Sequence, residues 1–256
     1  MSYDVQAIIS LSKQAAERIL SIYNQPSFVV HHKSDRSLLT QADLESQAII
    51  CEGLKKLYPS IPIVSEESTE FHDYAARKDW ETFFLVDPLD GTKEFVHRND
   101  EFTINIALIH QGQPILGVIH APALDVIYYA ERGRGAYKIT KNQKIKLPLA
   151  RSNSQEVFNV AVSRSHSCER TENFIANLRS QGKQVNTLSA GSALKFGLVA
   201  EGRVDLYPRF TPTMEWDTAA GHVLINEVGK KITVIESEEP LQYNKINLKN
   251  EGFVVG

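Results

Sequence analysis

A chain of 256 residues can fold as one large domain or as two smaller ones sharing a cleft. Its 42% apolar and 23% charged residues are ordinary for a globular protein, and a net charge of −3 with scattered basic residues excludes a polyanion-binding footprint. That removes nucleic-acid polymers as partners and leaves small anionic ligands open.

The first residues, MSYDVQAIISLSKQ, carry an early aspartate and mixed polar side chains, unlike a signal peptide. Ile8, Ile9, Ala15, Ala16, Ile19, Leu20 and Tyr23 then recur at helical spacing. The pair His31–His32 reads as loop. TQADLESQAIICEGLKKLYP predicts a second amphipathic helix, with Thr40 or Asp43 near its start and Pro59 beyond its end. IPIVSEES and FFLVD are short buried strands that both run into acid. The stretch from Phe102 to Tyr137 reads as consecutive strands separated by Gly and Pro turns, with Tyr128 and Tyr129 at alternating positions. Residues 1–150 are therefore expected to pack two helices on an antiparallel-rich sheet.

Beyond LPLARSNSQE the pattern changes. FNVAVSRSH is a strand, CERTENFIANLRSQG a helix ended by Gly182, and ALKFGLVAEG a helix ended by Gly202. VDLYP is a strand, WDTAAGHVLINEVG a helix ended by Gly229, and KKITV a strand. This alternation predicts an α/β half over 151–256, so the fold class is α/β with a mixed α+β first half. Cys51 and Cys168 lack metal-ligand spacing and fit a reducing compartment rather than a disulfide framework. No apolar run approaches the ~20 residues that span a bilayer. A soluble cytoplasmic protein is expected.

The chemistry concentrates in FFLVDPLDGTKEF, residues 83–95. Asp87, Pro88, Asp90 and Gly91 could simply turn the chain, since each is a good turn former. Three other segments add to it. VSEES places Glu66 and Glu67 at a strand exit, where alternation lets only one of them share a site with Asp87. Asp217 opens an amphipathic helix, where capping alone would explain it. Asp43 lies in the first turn of another helix, where acids suit the helix dipole. All four segments sit at strand ends or helix starts, where open α/β sheets gather ligands. Crowded carboxylates cannot all stay ionised without a cation, and oxygen donors suit Mg²⁺. Asp87 and Asp90, across one turn, could bridge two ions.

VSEES, VDPLDGTKEF and EWDTAAGHVLINEVGK resemble, in order and over nearly the whole chain, the three signatures of the inositol monophosphatase superfamily of Mg²⁺-dependent, Li⁺-sensitive phosphatases. Within it, DGTKEFVHRNDEFTINIALI, SRSH, GSALKFGLVAEGRVDLYPRF and WDTAAGH resemble the 3′(2′),5′-bisphosphate nucleotidase branch. Inositol phosphatases read Asp-Gly-Thr-Thr-Asn-Phe where this chain has DGTKEF. The resemblance implies a layered α-β-α-β-α sandwich and cleavage of adenosine 3′,5′-bisphosphate to AMP and phosphate, clearing a by-product of sulfate assimilation. It implies one Mg²⁺ on Glu66, Asp87 and the Leu89 carbonyl, and a second on Asp87, Asp90 and Asp217. Glu67 is left between a supporting role and a third, weaker ion. The attacking water is oriented by the Thr92 hydroxyl, held in turn by Asp43, with Glu66 counted among the catalytic groups. Residues 1–150 thus carry most metal ligands, and 151–256 supply Asp217 and the nucleotide contacts.

A substrate with two phosphates needs cations away from the metals. Lys195 lies in the first turn of the helix in AGSALKF, and Arg209 follows VDLYP; as isolated residues both would be solvated surface charges. Arginine offers a bidentate fork and lysine a point charge. With the resemblance, Ser165, His166, Gly191, Ser192, Lys195 and Arg209 hold the nucleotide and its 5′-phosphate. Glu66, Leu89, Asp90, Gly91, Thr92 and Asp217 face the scissile phosphate, Gly91 and Thr92 through backbone N–H groups. Trp216 packs the helix start. The resemblance leaves room for peripheral association with the cytoplasmic face of the inner membrane. Competing readings are an inositol monophosphatase or fructose-1,6-bisphosphatase of the same fold, and a non-catalytic nucleotide or Mg²⁺ sensor.

Overall fold

The computed structural model describes residues 3–32, 38–68, 73–141, 143–149, 157–165 and 168–256. Helix α1 (Val5–Tyr23) starts at Asp4, whose carboxylate accepts the Gln6 N–H at 2.8 Å. It buries Ile8, Ile9, Ala15, Ala16 and Ile19, the stripe its spacing predicts. The hairpin β1 (Val30–His32) and β2 (Leu38–Thr40) follows, so His31 belongs to a strand rather than the loop expected. Helix α2 (Gln41–Leu57) is capped by Thr40 and stops two residues before Pro59.

Next come β3 (Ile63–Ser65), α3 (Tyr74–Arg77), β4 (Thr82–Asp90) and α4 (Thr92–Val96). A meander follows: β5 (Thr103–His110), β6 (Gln113–Ala121), β7 (Val126–Glu131), β8 (Gly135–Thr140) and β9 (Gln143–Lys146). The seven strands β3 to β9 form one sheet in sequence order. Only the β3–β4 pair is parallel.

The two faces of this sheet serve different cores. Phe84 and Val86 of β4, with Ile106 and Leu108 of β5, pack under α1 and α2. Phe83 and Leu85, with Ala107 and Ile109, face the opposite way, into a core that also holds Phe196, Val223 and Phe253. Alternation of side chains along each strand explains the split, and burial on both faces explains why the strands read as unbroken apolar runs.

The rest of the chain builds on that second face. It contains β10 (Val157–Ser163), α5 (Glu169–Ser180), β11 (Gln184–Ala190), α6 (Leu194–Ala200) and β12 (Tyr207–Arg209). Then follow β13 (Thr213–Met214), α7 (Glu215–Glu227), β14 (Ile232–Val234), β15 (Lys249–Asn250) and β16 (Phe253–Val255). Helix α7 lies on β5, β6 and β7, and α6 packs on α7. Gly117 of β6 permits this approach: a Cβ there would stand 2.6 Å from Val223 Cγ1 and 2.7 Å from Ala220 Cα. Parallel β10–β11 and antiparallel β12–β16–β14 form the next layer, with α5 outside it. The order of layers is α1–α2, large sheet, α6–α7, smaller strands, α5, the α-β-α-β-α sandwich expected.

Strands β2, β9, β11, β13, β15 and β16 are absent from the sequence reading. Each is short or half-polar and is defined by its pairing partner rather than by its own pattern. Cys51 and Cys168 are unpaired thiols. Among the described residues, no helix is long and apolar enough to cross a membrane.

Candidate active site

Strand β4 delivers the first acids. Asp87 pairs with Asn105 and Asp90 with Thr103, so three steps along β4 match two along β5. The Asp-Pro-Leu-Asp segment is therefore a bulged strand end rather than the turn expected. The bulge has a directional consequence. In a regular pleat, residues three apart point to opposite faces; the extra residue restores Asp90 to the face of Asp87. Leu89, between them, drops into the α1–α2 core. Pro88 suits the bulge because it has no N–H to place in a ladder. Its carbonyl accepts the Ser46 hydroxyl at 2.7 Å, and Asp87 Oδ1 accepts the Leu89 N–H at 3.1 Å.

Glu66 follows β3, and its N–H donates to the Val86 carbonyl at 3.1 Å, extending the β3–β4 pairing. It has the strand parity of Val64, which faces the α7 core. From that side α7 brings Asp217, its third residue, whose Oδ2 accepts the Met214 N–H at 2.8 Å. One carboxylate oxygen from each of Glu66, Asp87 and Asp217 lies within 4.8 Å of the others. Asp90 lines the same cleft, its Oδ2 accepting Asn105 Nδ2 at 3.3 Å, with the Thr103 hydroxyl 3.5 Å away.

Burial and the neighbouring acids hold Asp87 and Asp217 well above the usual carboxylate range. Burial raises Asp90 to about 6, against the opposing pull of Lys195. Such a cluster is stable only with bound protons or a bound cation. Its donors are all oxygen, at a spacing one ion can bridge, so a hard divalent ion such as Mg²⁺ fits the residues present. Glu67 lies outside this trio.

Gly91 turns the chain from β4 into α4 with φ +91°, a backbone region that side chains rarely tolerate. A Cβ there would also collide with the Ser192 hydroxyl. Thr92 then directs its hydroxyl to Asp43 Oδ1 at 3.2 Å. Asp43 is 1% exposed and sits behind Thr92; its Oδ2 accepts both the N–H (2.8 Å) and hydroxyl (2.5 Å) of Thr40. Burial raises its pKa, and the Thr40 and Thr92 donors oppose that shift.

Cationic side chains line the same cleft. Lys195 lines the cleft yet is only 2% exposed, and its Nζ donates to the carbonyls of Ser192 (2.6 Å) and Ala190 (3.0 Å). Burial lowers its pKa to about 8, with Asp90 pulling the other way. Two donors are spent on the loop, and one remains for a ligand. Arg209 also lines the cleft, with Nε donating to the Thr211 carbonyl at 3.2 Å. Ser192, at φ +46°, has its hydroxyl 2.8 Å from the carbonyls of Asp90 and Glu101 and does not cap α6; Ala193 occupies that place.

The remaining expected contacts are more distant or differently engaged. The Gly191 N–H is directed at Glu101 Oε2, 2.7 Å away, rather than into the cleft. Ser165 hydrogen-bonds the carboxylate of Glu94, just beyond the end of β10. His166 lies outside the described residues. Lys93, Glu94, Ser163 and Tyr207 line the cleft without having been singled out in sequence. For Lys93 and Glu94 the signal was present, because they are the two letters by which DGTKEF departs from the inositol phosphatase pattern. Glu101 was missed as well; it receives a bidentate contact from Arg164 at 2.6 and 2.7 Å and ties the two strand-end loops together. Trp216 is buried at the helix start as expected, with one edge on the cleft.

The cleft has a volume of about 290 Å³ and is lined by the acids together with Lys195 and Arg209. That arrangement defines a class: proteins that hold hard divalent cations against small anionic ligands. Residues 2–253 match the inositol monophosphatase family, and the chain belongs to it. A Salmonella typhimurium protein named 3′(2′),5′-bisphosphate nucleotidase CysQ is 40% identical over 235 residues, 89% of each chain. Its Escherichia coli K12 counterpart is 39% identical over 257 residues, 97% of each. The crystal structure of CysQ from Bacteroides thetaiotaomicron superposes with a TM-score of 0.88 at 42% identity, covering 98% of this chain and 95% of that one.

Proposed function

We propose that this chain is a Mg²⁺-dependent phosphomonoesterase that hydrolyses adenosine 3′,5′-bisphosphate to AMP and phosphate. The observation that carries the reading is the meeting of Glu66, Asp87, Asp90 and Asp217 in one cleft that Lys195 and Arg209 also line. Relatives named as bisphosphate nucleotidases support the choice of substrate.

Glu66, Asp87 and the Leu89 carbonyl would hold one ion; Asp87, Asp90 and Asp217 would hold the other. When bound, Mg²⁺ supplies positive charge against the ester oxygens and makes a water in the cleft more acidic. The protein's own groups do the placing. Thr92 commits its hydroxyl hydrogen to Asp43, so its oxygen has only lone pairs left to offer. A water there must donate to Thr92, which turns its own lone pair outward to the phosphorus. As the new P–O bond forms, the bond to the 3′-oxygen breaks and that oxygen takes up a proton. Gly91 and Thr92 can donate backbone N–H groups to the phosphate. Lys195 and Arg209 would take the 5′-phosphate, which an inositol monophosphate lacks. Residues 1–150 thereby supply the reacting side and 151–256 contribute Asp217 and the specificity side. In the cell this removes a by-product of sulfate assimilation, in the cytoplasm, and Li⁺ inhibits it.

Phosphate release from adenosine 3′,5′-bisphosphate, inositol monophosphate and fructose 1,6-bisphosphate, with and without Mg²⁺, tests the proposal. The expected result is Mg²⁺-dependent preference for the adenosine substrate, with Lys195→Ala and Arg209→Ala losing most of that preference through KM. Equal or better turnover of the inositol substrate, or full activity in chelator, would overturn it.

A further inference from the structure

The N-terminus of α7, which carries Asp217, is gripped by the chain's C-terminal segment. Strand β15 pairs with β13, setting Asn250 opposite Thr213. The Met214–Glu215 peptide is pinned on both sides: its carbonyl accepts Asn250 Nδ2 at 2.8 Å, and its N–H donates to the Leu248 carbonyl at 2.9 Å. Asn250 Nδ2 also lies 3.1 Å from the hydroxyls of Thr213 and Thr218, which flank the same turn. On its other side, Asn250 Oδ1 accepts Lys245 Nζ at 3.0 Å. Lys245 in turn reaches the fully buried Glu215 at 2.8 Å, and Glu215 accepts the N–H groups of Asn244 and Lys245.

Asn250 is 5% exposed and uses both ends of its amide. A β-strand so short gains little from its own ladder, so this side chain is a principal fixture of the turn. The turn matters because the Met214 N–H holds Asp217 Oδ2. That N–H belongs to the preceding Thr213–Met214 peptide, joined to the pinned one at Met214 Cα. A pinned peptide that rocks therefore turns Met214 and draws its N–H, with the carboxylate hydrogen-bonded to it, away from Glu66 and Asp87. Groups one contact removed from a metal ligand typically change affinity by ~10–100-fold when lost; the Met214 N–H is that group, and Asn250 acts one contact further out, at the low end of that range.

We infer that Asn250 is a positioning residue for Asp217: through the pinned Met214–Glu215 peptide it sets where that carboxylate stands, and so how tightly the acid trio holds a divalent cation. This rests on the metal-site reading above, toward which Asn250 itself supplies no ligand.

The test is calorimetric titration of the metal-free chain with Mg²⁺, without substrate, for the unaltered protein, Asn250→Ala and Asn250→Asp. Asn250→Asp keeps the size and the Lys245 contact but has no N–H to give Met214, so it serves if the alanine variant fails to fold. Ile232→Val, a core change in β14, is the control for general loss of stability. The expected result is a Kd for Mg²⁺ about tenfold weaker in the Asn250 variants, unchanged in Ile232→Val, with turnover recovered at high Mg²⁺ because kcat is largely retained. Folded Asn250 variants that bind Mg²⁺ within twofold of the unaltered protein overturn the inference. An unaltered protein that binds no Mg²⁺ overturns the metal-site reading, and this inference with it.

Discussion

Helices α2 and α7 begin with the same local device. Each has an aspartate at its third position whose Oδ2 accepts the backbone N–H of the residue preceding the helix, at 2.8 Å in both cases. Among the described residues, the remaining hydrogen-bond partners of Asp43 are donors, the hydroxyls of Thr40 and Thr92. Asp217 instead faces mainly acids, Glu66, Asp87 and Asp90, with Arg209 as a weaker opposing charge. The two helices cover opposite faces of the sheet, and both bring their N-termini to the end of β4. One aspartate is satisfied by the protein; the other needs something the protein does not contain. A cap is thus a fixed local geometry whose chemical use is set by what faces its second oxygen.

That contrast breaks hardest at Asp217. Asp217→Asn keeps an acceptor for the Met214 N–H but removes a charge from the cluster. Turnover is expected to fall by about 10³-fold or more, while the metal-free chain melts no lower than the unaltered one, because repulsion in the cluster is relieved. Phosphate-release assays and thermal melts in chelator check both halves; near-normal turnover would remove Asp217 from the site.

Asp43→Asn tests the other helix. The amide can still cap α2 through its oxygen, but it presents N–H to Thr92 and reverses that hydroxyl, so a water is no longer held as donor. A loss of about 10²-fold in kcat with little change in KM is expected. A loss confined to KM would mean that Asp43 only shapes the loop.

Acidity sharpens the comparison between the two faces. His120, on β6 beside α1, has Nδ1 3.2 Å from the Ser12 carbonyl; His222, on α7, has Nδ1 3.0 Å from the Tyr243 hydroxyl. Burial depresses both to about 4. The unfolded chain, with histidines near 6.5, binds more protons between those values, so each histidine makes stability fall as pH drops from about 6.5 toward 4. The slope is at most about 1.4 kcal/mol per pH unit per group. Denaturant melts across this window should show a shallower slope in His120→Gln and in His222→Gln. An unchanged slope in either variant would mean that its histidine is already charged when folded.

The smallest effect is expected at Thr40→Ala. It removes one cap hydroxyl and one donor to Asp43, costing about 1 kcal/mol of stability and less than tenfold in kcat. A larger kinetic loss than in Asp43→Asn would reverse the order of importance within that helix start.

Much of this was legible along the chain. The apolar stripe of α1, the capping letters before α2, and acids at the exits of β3 and β4 all follow from periods and propensities that act within a few residues. Helix α7, read as amphipathic, is instead buried on every side, because it lies between the large sheet and the smaller strands. The family signatures added the likeness to phosphatases. Other features had no local trace. Glu101 looks like any surface acid, yet it binds Arg164 and the Gly191 N–H, 63 and 90 residues away. Asn250 lies in a stretch with no pattern, and only the fold sets its amide against Met214, Thr213, Thr218 and Lys245.

The clearest division runs through β4 itself. The letters Asp-Pro-Leu-Asp determine that two carboxylates stand close together at the end of a buried strand, because spacing along a backbone is covalent. They do not determine that both face α7 while Leu89 faces α1 and α2. That was decided by the pairing with β5, where three residues oppose two, and by the helix that supplies Asp217 to the face so created. Sidedness in a sheet depends on register with a partner strand, and register is a property of the assembled tertiary structure, not of the segment.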